Sequence, residues 1–469
     1  MAKAKTTYRC ADCGATYPKW AGQCRTCGAW GTIEEEAPAA GRGEAAITPS
    51  SPAVPIGEVD AQAARARTTG VSELDRVLGG GMVPGAVVLL AGEPGIGKST
   101  LLLDVAARAA VASRRAGAGP VLYVTGEESA SQVRLRAERI GALDEALLLA
   151  AEYDLGAALG HVETHSPSML IVDSVQTLSS AKEEGAPGGV AQVRAVTAAL
   201  IAVAKSRNIP VILVGHVTKT GGIAGPRVLE HLVDVVLQFE GDRHARLRLL
   251  RSVKNRYGPT DEIGCFELGD RGIVGLEDPS GLFLSHTSQS VPGTCVTVTL
   301  EGRRPMPTEV QALVAKTGAG SPRRTTSGVD HSRVAMLLAV LQARMGVDLG
   351  SCDVYASTVG GARTTEPAAD LALAMSILSA ASDVAPKERL VAVGEVSLTG
   401  EVRQTVGIER RLAEAARLGF SFAIVPATAL DGLRVPDGMT VRGVRDLSEA
   451  ARLALPAGGI HGPALPHRS

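Results

Sequence analysis

Short apolar runs alternate with longer stretches of helical periodicity from about Arg67 to Pro279. The predicted strands are Val87–Ala91, Val121–Thr125, Met169–Asp173, Val211–Gly215 and Val235–Phe239. Apolar runs of this length are typical of strands buried on both faces, and the helices between such strands cover both faces of a parallel sheet. The pattern therefore predicts an α/β fold built on a largely parallel sheet.

Changes in composition predict further segments on either side of this region. A cysteine-rich module precedes a stretch rich in Ala, Pro, Gly and Ser, which is typical of a linker. A strand candidate at Ser290–Leu300 opens another domain, in which Gly318–Gly328 is predicted to be a polar, basic loop, and we expect the Pro/Gly-rich tail to be disordered. The predicted segments are 1–30 (cysteine-rich finger), 31–65 (linker), 66–285 (the alternating domain), 286–455 (a second large domain) and 456–469 (tail).

The composition limits the class of protein. The chain has 469 residues, of which 45% are hydrophobic and 21% charged, as in a soluble globular protein. A net charge of -1 does not indicate nucleic-acid binding, but a modular motor can concentrate its basic groups on one face. No apolar run approaches the ~20 residues of a membrane span, and no apolar segment follows the charged N-terminus. Three of the seven cysteines stand alone, so we expect a cytoplasmic protein without a membrane partner.

A phosphate-binding loop is predicted directly after the first strand. Residues 92–99 match the pattern G-x-x-x-x-G-K-[ST]. The candidate nucleotide-binding residues are Gly92, Glu93, Pro94, Gly95, Ile96, Gly97, Lys98, Ser99 and Thr100. The glycines allow a tight turn with inward N–H groups, Lys98 reaches the β- and γ-phosphates, and Ser99 ligates Mg²⁺. An ordinary glycine-rich turn is the alternative, but the preceding strand and the helix expected from Lys98 favour binding of ATP with Mg²⁺.

Further candidate groups follow the ends of other predicted strands. Asp173 ends an apolar strand and is a candidate for the Mg²⁺ shell. Glu127 and Glu128 follow another strand, at the edge of the sheet where ligands bind, and a carboxylate there can orient or deprotonate water. We favour Glu127 and keep Glu128 in reserve, against the alternative of a solvated pair. His216 is a candidate γ-phosphate sensor, or else a structural histidine.

Two basic segments lie after the predicted strand Val211–Gly215. The glycine-rich stretch from Lys219 to Arg227 suits a loop that grips a phosphate backbone, so both residues are candidate DNA ligands. The pentapeptide Lys254-Asn255-Arg256-Tyr257-Gly258 follows a strand candidate at Ala245–Val253. On residue types alone it predicts a charged hairpin turn without a function.

The N-terminal cysteines predict a structural metal site. Two C-x-x-C pairs, Cys10 with Cys13 and Cys24 with Cys27, are separated by ten residues. Four thiolates complete a closed tetrahedral Zn²⁺ site, and the metal would stabilise a module too short for a core of its own. Redox-active dithiols are the alternative, but these usually occur as a single pair.

Together these motifs resemble the bacterial RadA/Sms family of recombination and repair ATPases. The order is the cysteine finger with Trp20 and Trp30, the phosphate loop, Asp173 and the K-N-R-Y-G pentapeptide. The resemblance implies a RecA-like core in a homo-hexameric ring that moves on single-stranded and branched DNA and drives branch migration with the RecA-type recombinase. It also implies that Lys254 and Arg256 act near ATP, on the γ-phosphate of a neighbouring subunit, or couple the ATP state to the grip on DNA.

The second large domain is similar to the proteolytic domain of Lon, which implies an α+β fold. The matching segments are Ser357–Asp370, Gly394–Arg403 and Gly407–Arg411. Lon-type hydrolysis needs a Ser activated by a Lys. This chain has Pro367-Ala368-Ala369-Asp370 where the protease has its serine, and Glu409 where it has its lysine. We therefore interpret the domain as an inactive scaffold, with four candidate DNA-contacting arginines: Arg303, Arg304, Arg323 and Arg324.

The leading hypothesis is an ATP-driven DNA motor that processes recombination intermediates. One alternative is a regulatory RecA-fold ATPase that acts through protein partners alone. The other is an ATP-dependent protease, which the missing Ser/Lys pair disfavours.

Overall fold

The computed structural model describes residues 7–36, 54–58, 61–216, 228–241, 246–269, 272–284, 290–318 and 321–456. These residues belong to two compact units that divide between Ala61 and Gln62. None of the helices within the described ranges has both the length and the apolarity that a bilayer span requires.

The first unit contains a small antiparallel sheet. Its strands, in the order β2-β1-β3, are β1 (Thr7–Cys10), β2 (Thr16–Tyr17) and β3 (Ile33–Glu36). Cys10 pairs with Ile33 across β1 and β3. The pairing therefore continues to Glu36, past the predicted end of the finger at residue 30.

The second unit begins with a nine-stranded sheet in the order β12-β11-β10-β9-β4-β8-β7-β5-β6. Its strands are β4 (Val87–Gly92), β5 (Val121–Thr125), β6 (Leu147–Ala151), β7 (Met169–Asp173), β8 (Val211–His216), β9 (Val235–Glu240), β10 (Leu247–Asn255), β11 (Ile263–Gly269) and β12 (Gly272–Gly275). Its helices are α1 (Ser72–Leu78), α2 (Lys98–Arg115), α3 (Ala130–Ile140), α4 (Leu155–His165) and α5 (Val190–Arg207). The strands from β9 to β6 are parallel, and β10 to β12 are antiparallel. All five predicted strands are present, with ends within one residue.

Helices cover both faces of this sheet, as the sequence pattern predicts. Alternate residues of β4 point to opposite faces, so that Val88 packs in a core with α2 and α3, while Val87 packs in a separate core with α4 and α5. Every residue of β4 is buried. A central strand of this kind carries the phosphate loop on a rigid support.

The rest of the second unit is an α+β domain with a seven-stranded sheet in the order β15-β16-β14-β13-β17-β20-β21. Its elements are β13 (Thr294–Glu301), β14 (Arg304–Lys316), β15 (Arg324–Ser327), α6 (His331–Met345), β16 (Cys352–Thr358), α7 (Asp370–Ser382), β17 (Leu390–Ala392), β18 (Glu395–Val396), β19 (Val402–Arg403), α8 (Ile408–Arg417), β20 (Phe422–Pro426), β21 (Thr440–Val444) and α9 (Leu447–Ala454). The segment predicted as a loop at Gly318–Gly328 contains the strand β15, because its β-branched Thr325 and Thr326 pair with β16.

A buried ion pair joins this domain to α1 of the domain that contains the nine-stranded sheet. The guanidinium of Arg304 in β14 donates to Glu73 of α1, whose side chain is fully buried. Arg304 also donates to the carbonyls of Leu276 and Glu277, at 2.8 Å each. The prediction that Arg304 contacts DNA is therefore wrong, because its guanidinium is enclosed by the neighbouring domain.

We predict that Arg304→Ala destabilises the protein by about 3–5 kcal/mol, since it leaves the Glu73 carboxylate buried without its partner. The measurement is the urea midpoint of the unfolding transition. Arg303→Ala is the matched control, because this neighbouring side chain is 47% exposed and lies 3.6 Å from Asp261. Equal shifts of the midpoint in the two variants would contradict the prediction.

Candidate nucleotide and metal sites

The phosphate loop has the strand-loop-helix geometry that its sequence predicts. It leaves β4 at Gly92, and α2 begins at Lys98. Gly97 has φ of 111°, and a Cβ there would lie 2.3 Å from Cδ1 of Ile273. A Cβ on Gly92 would lie 2.7 Å from the carbonyl oxygen of Phe239. Space therefore requires glycine at position 92, where the close atom is backbone, and the left-handed backbone favours glycine at position 97.

Lys98 is held inside this loop. Its Nζ donates to the carbonyl oxygens of Gly92 at 2.9 Å and Glu93 at 3.0 Å, and lies 3.2 Å from Nδ1 of His216. Burial lowers the pKa of Lys98, while the charges of Asp173 and Glu127 oppose that shift. An ammonium group bound to carbonyls in this way is placed to transfer its hydrogen bonds to phosphate oxygens.

Asp173 ends β7 beside the loop, and its two carboxylate oxygens differ. Oδ2 accepts a 2.7 Å hydrogen bond from the hydroxyl of Tyr123. Oδ1 is buried and has no hydrogen-bond partner among the described residues. A buried carboxylate oxygen without a partner is suited to a cation, which it can bind directly or through a water molecule. The half-buried Ser99 lies at the start of α2 and supplies the hydroxyl of the loop. These residues therefore fit Mg²⁺ bound together with ATP.

Glu127 follows β5 and reaches the same edge. Its Oε1 accepts a 2.6 Å hydrogen bond from Ser174 Oγ, and Nε2 of His216 lies 2.7 Å from the same oxygen. The His216 ring is the main cause that lowers the pKa of Glu127; burial acts against it, and Ser174 and Lys98 add to the lowering. Ligand atoms of Glu127, Asp173 and His216 all lie within 4.8 Å of one another. The structure thus brings three sequence candidates together.

Glu128 does not join this group. Its carboxylate pairs with Arg136 of α3 at 2.5 Å. The favoured residue of the acidic pair, Glu127, is therefore the one that faces the phosphate loop.

Lys254 and Arg256 lie near the end of the sheet where the parallel strands begin, whereas the phosphate loop lies at the end where they finish. The end of β10 that carries Lys254 pairs with the first residue of β9, which pairs with Val88 near the start of β4. Gly92 is four residues further along β4, or ~13 Å at about 3.3 Å per residue. The structure therefore does not bring these two cations to the nucleotide site of their own chain.

Their contacts are with the segment that precedes β9. Lys254 Nζ donates to the carbonyl oxygens of Glu230 at 2.8 Å and Val233 at 2.7 Å. Nη1 of Arg256 lies 3.2 Å from Oδ1 of the buried Asp234. The predicted DNA ligands Lys219 and Arg227 lie outside the described residues, which resume at residue 228.

The four N-terminal cysteines form the second candidate site. Sγ of Cys10 lies 3.8 Å from that of Cys27, and Sγ of Cys13 lies 3.5 Å from that of Cys24. Zn–S bonds of about 2.3 Å place tetrahedral sulfurs about 3.8 Å apart, so the cluster fits zinc. The hydroxyl of Thr32 lowers the pKa of Cys10, and that of Tyr17 lowers the pKa of Cys24 to about 5. The Cys24 thiol raises the pKa of Cys13 and of Cys27, against the backbone hydrogen bonds of Ala15 and Ala29.

Both tryptophans lie in this ribbon and are exposed. Trp30 is 74% exposed and Trp20 is 64% exposed. The indole N–H of Trp20 donates to the carbonyl oxygen of Ile33 at 3.1 Å, which fixes the orientation of the ring.

The candidate dyad positions of the α+β domain carry no hydrolytic pair. Ala368 is fully buried, and Asp370 beside it binds the guanidinium of Arg333 through both carboxylate oxygens. Glu409 in α8 is exposed, and its carboxylate accepts the backbone N–H of Arg434. Ala368 offers no nucleophile, and Glu409 no amine to activate one.

Two groups of the nucleotide site escape sequence reasoning. Ser174 and Tyr123 bind Glu127 and Asp173 respectively. The one signal for Tyr123 is a phenol hydroxyl in the middle of a strand whose other residues before Thr125 are aliphatic. For Ser174 the sequence offers only its position next to Asp173.

The chain is similar to known proteins along most of its length. Family profiles match at residues 54–222 (AAA domain), 8–35 (rubredoxin metal binding domain) and 360–429 (subunit ChlI of Mg-chelatase). The chain is 54% identical to a DNA repair protein RadA of Mycolicibacterium smegmatis over 94% of this chain and 96% of that protein. It is 45% identical to the DNA repair protein RadA of Bacillus subtilis over 97% of this chain and 100% of that protein. A crystal structure of the RadB recombinase matches 45% of this chain and 99% of its own, with 25% identity and a TM-score of 0.35.

We predict one zinc ion per chain, bound by the four clustered thiolates. Cys24→Ser removes one of them and should lower the zinc content of the purified protein well below that of the parent, as measured by inductively coupled plasma mass spectrometry. Cys352→Ser is the control, because this cysteine is remote from the cluster in sequence and makes a hydrogen bond to Asp348. A full zinc complement in the Cys24 variant would exclude the four-thiolate site.

Proposed function

We infer the function of this chain from its family, because the chain belongs to the DNA repair proteins named RadA. Its AAA-type domain makes it an ATPase of that family. We propose more specifically that it is an ATP-dependent DNA motor, which processes recombination intermediates by branch migration together with the RecA-type recombinase. Its substrates in this proposal are ATP with Mg²⁺ and single-stranded or branched DNA.

The convergence of Lys98, Asp173, Glu127 and His216 at one edge of the sheet is the observation that carries this proposal. Lys98 binds the β- and γ-phosphates. Ser99 and Asp173 would hold Mg²⁺, and the bound ion would supply charge neutralisation at the phosphates. Glu127 orients the attacking water, because its carboxylate is ionised and faces the loop. His216 links Lys98 to Glu127 and senses whether Lys98 is engaged by phosphate.

The proposed coupling to DNA is supported by contacts of residues that flank the segment 217–227. His216, which contacts Lys98, immediately precedes that segment, and Lys254 holds the carbonyls of Glu230 and Val233 shortly after it. Lys219 and Arg227 lie between these two attachments in the sequence. A change at the phosphate loop therefore has a short covalent path to the candidate DNA ligands.

A homo-hexameric ring completes the proposal. Lys254 and Arg256 lie at the end of the sheet opposite to the phosphate loop of their own chain, which supports a role at the γ-phosphate of a neighbouring subunit. Their contacts with residues 230–234 also support the other role, in which they couple the ATP state to the grip on DNA. The α+β domain then serves as a scaffold for the ring.

We predict that the protein hydrolyses ATP faster when single-stranded DNA is present. Lys98→Ala should reduce both the basal and the stimulated rate on the order of 10²-fold or more, because the phosphates lose their central cation. The measurement is steady-state phosphate release with and without an oligonucleotide.

A rate in the parent that is indifferent to DNA would favour an ATPase that acts through protein partners alone. Normal hydrolysis by the Lys98 variant would remove the phosphate loop from the mechanism.

We predict that Glu127→Gln reduces hydrolysis by about 10²–10⁴-fold while nucleotide binding persists, since the amide cannot accept a proton from water. Glu128→Gln is the matched control, because Glu128 pairs with Arg136 and should leave the rate near that of the parent. Single-turnover hydrolysis and fluorescent nucleotide binding separate the two effects. A larger loss in the Glu128 variant would reverse the assignment.

The pH dependence follows from the same carboxylate. The pKa of Glu127 lies below its ordinary value of 4.5, so the group stays ionised in the folded protein as the pH falls to that value. Its contribution is lost only when the pH falls through the lowered pKa. In a pH profile of the hydrolysis rate, the loss due to this group should therefore have its midpoint below pH 4.5, and a midpoint above that value would contradict the prediction.

A further inference from the structure

Tyr123 is a buried phenol beside the candidate Mg²⁺ ligand. It lies in β5, is 1% exposed, and packs in the core formed with α2 and α3. The pairing of β5 with β7 sets Thr125 opposite Asp173. Because side chains two residues apart in a strand share a face, Tyr123 reaches towards the end of β7 from the same side as Thr125.

The hydroxyl of Tyr123 makes one contact of direct consequence, the 2.7 Å hydrogen bond to Oδ2 of Asp173. A carboxylate oxygen can only accept, so the phenol O–H is the donor in this contact.

The other oxygen of Asp173 is left for a different partner. Oδ1 is buried and has no hydrogen-bond partner among the described residues. A carboxylate that is held at one oxygen cannot turn freely about its terminal torsion, so the direction of its second oxygen is also set. Groups that bind a metal-ligating carboxylate from behind orient it and tune its affinity for the metal.

We propose that Tyr123 is a positioning residue for Mg²⁺: it holds Oδ2 of Asp173 so that Oδ1 faces the cation that enters with ATP. The proposal rests on the proposed function in one respect, the binding of Mg²⁺ with nucleotide at this site. It does not depend on DNA, on a ring or on the residues that lie outside the described ranges.

A merely structural tyrosine would behave differently from a positioning one. If the hydrogen bond only satisfied a buried hydroxyl, its loss would lower stability and leave the affinity for Mg²⁺ unchanged. If it orients Asp173, its loss weakens the Mg²⁺-dependent part of nucleotide binding and spares the part that the phosphate loop supplies alone.

The test is Tyr123→Phe in the full-length protein, since Phe keeps the ring and removes only the donor. Mg²⁺ is titrated against a fluorescent N-methylanthraniloyl-ADP probe, and binding is repeated in EDTA. We expect the Mg²⁺ concentration at half-saturation to rise about 10–100-fold, with binding in EDTA unchanged. Tyr153→Phe is the matched control, because this tyrosine of the same domain is 61% exposed.

A half-saturation point in the Tyr123 variant within twofold of that of the parent would overturn the proposal. So would equal losses in EDTA and in Mg²⁺, because these indicate damage to the fold. A second variant, Asp173→Asn, should abolish the Mg²⁺ dependence itself, and its failure to do so would remove Asp173 as the target of Tyr123. In the parent protein, an absence of DNA stimulation together with a normal Mg²⁺ response would contradict the proposed motor and leave the role of Tyr123 standing.

Discussion

The parallel pairing of β4, β8, β7 and β5 is the constraint on which the nucleotide site depends. It brings the carboxyl ends of these four strands to one edge, so that residues far apart in sequence meet without long loops. Lys98, His216, Asp173 and Glu127 each follow or end a different strand of the four. The geometry of the chemistry is therefore inherited from the register of the sheet, and the side chains add charge and hydrogen bonds to an arrangement that the backbone has already set.

Ion pairs join the two large domains of the second unit, and one of these pairs is buried while the other is half-buried. Arg304 reaches from the α+β domain to Glu73 in the ATPase domain, and Arg251 contacts Glu301 in the opposite direction. Taking a guanidinium and a carboxylate out of water is costly, and it is tolerated where further hydrogen bonds satisfy them, as the carbonyls of residues 276 and 277 do here. The domain that resembles a protease is thus joined to the ATPase domain by specific polar contacts as well as by the chain itself.

Much of this could be predicted from the sequence, where a local pattern carries the information. The phosphate loop, the strand that ends in Asp173 and the paired cysteines are each contiguous, and the structure contains the elements that they predict. Side-chain partners on different elements could not be predicted, because a local pattern does not show which elements pack together. The partners of the Tyr123 hydroxyl and the Glu73 carboxylate are set only when the sheet and its helices are assembled. Arg304 shows the difference: its residue type suggests an exposed cation, and tertiary burial reverses that expectation. The position of Lys254, at the end of the sheet away from the phosphate loop, likewise follows only from the register of the strands.

The exposed indoles of the zinc ribbon have a consequence for spectroscopy. The whole chain contains two tryptophans, and both belong to the ribbon. The ATPase and α+β domains contain no tryptophan. Fluorescence excited at the red edge of the aromatic absorption band, where tryptophan absorbs, is therefore emitted by this small module alone. Because both rings face solvent, their emission responds to whatever approaches the ribbon. The native protein thus carries an intrinsic optical label confined to a single domain.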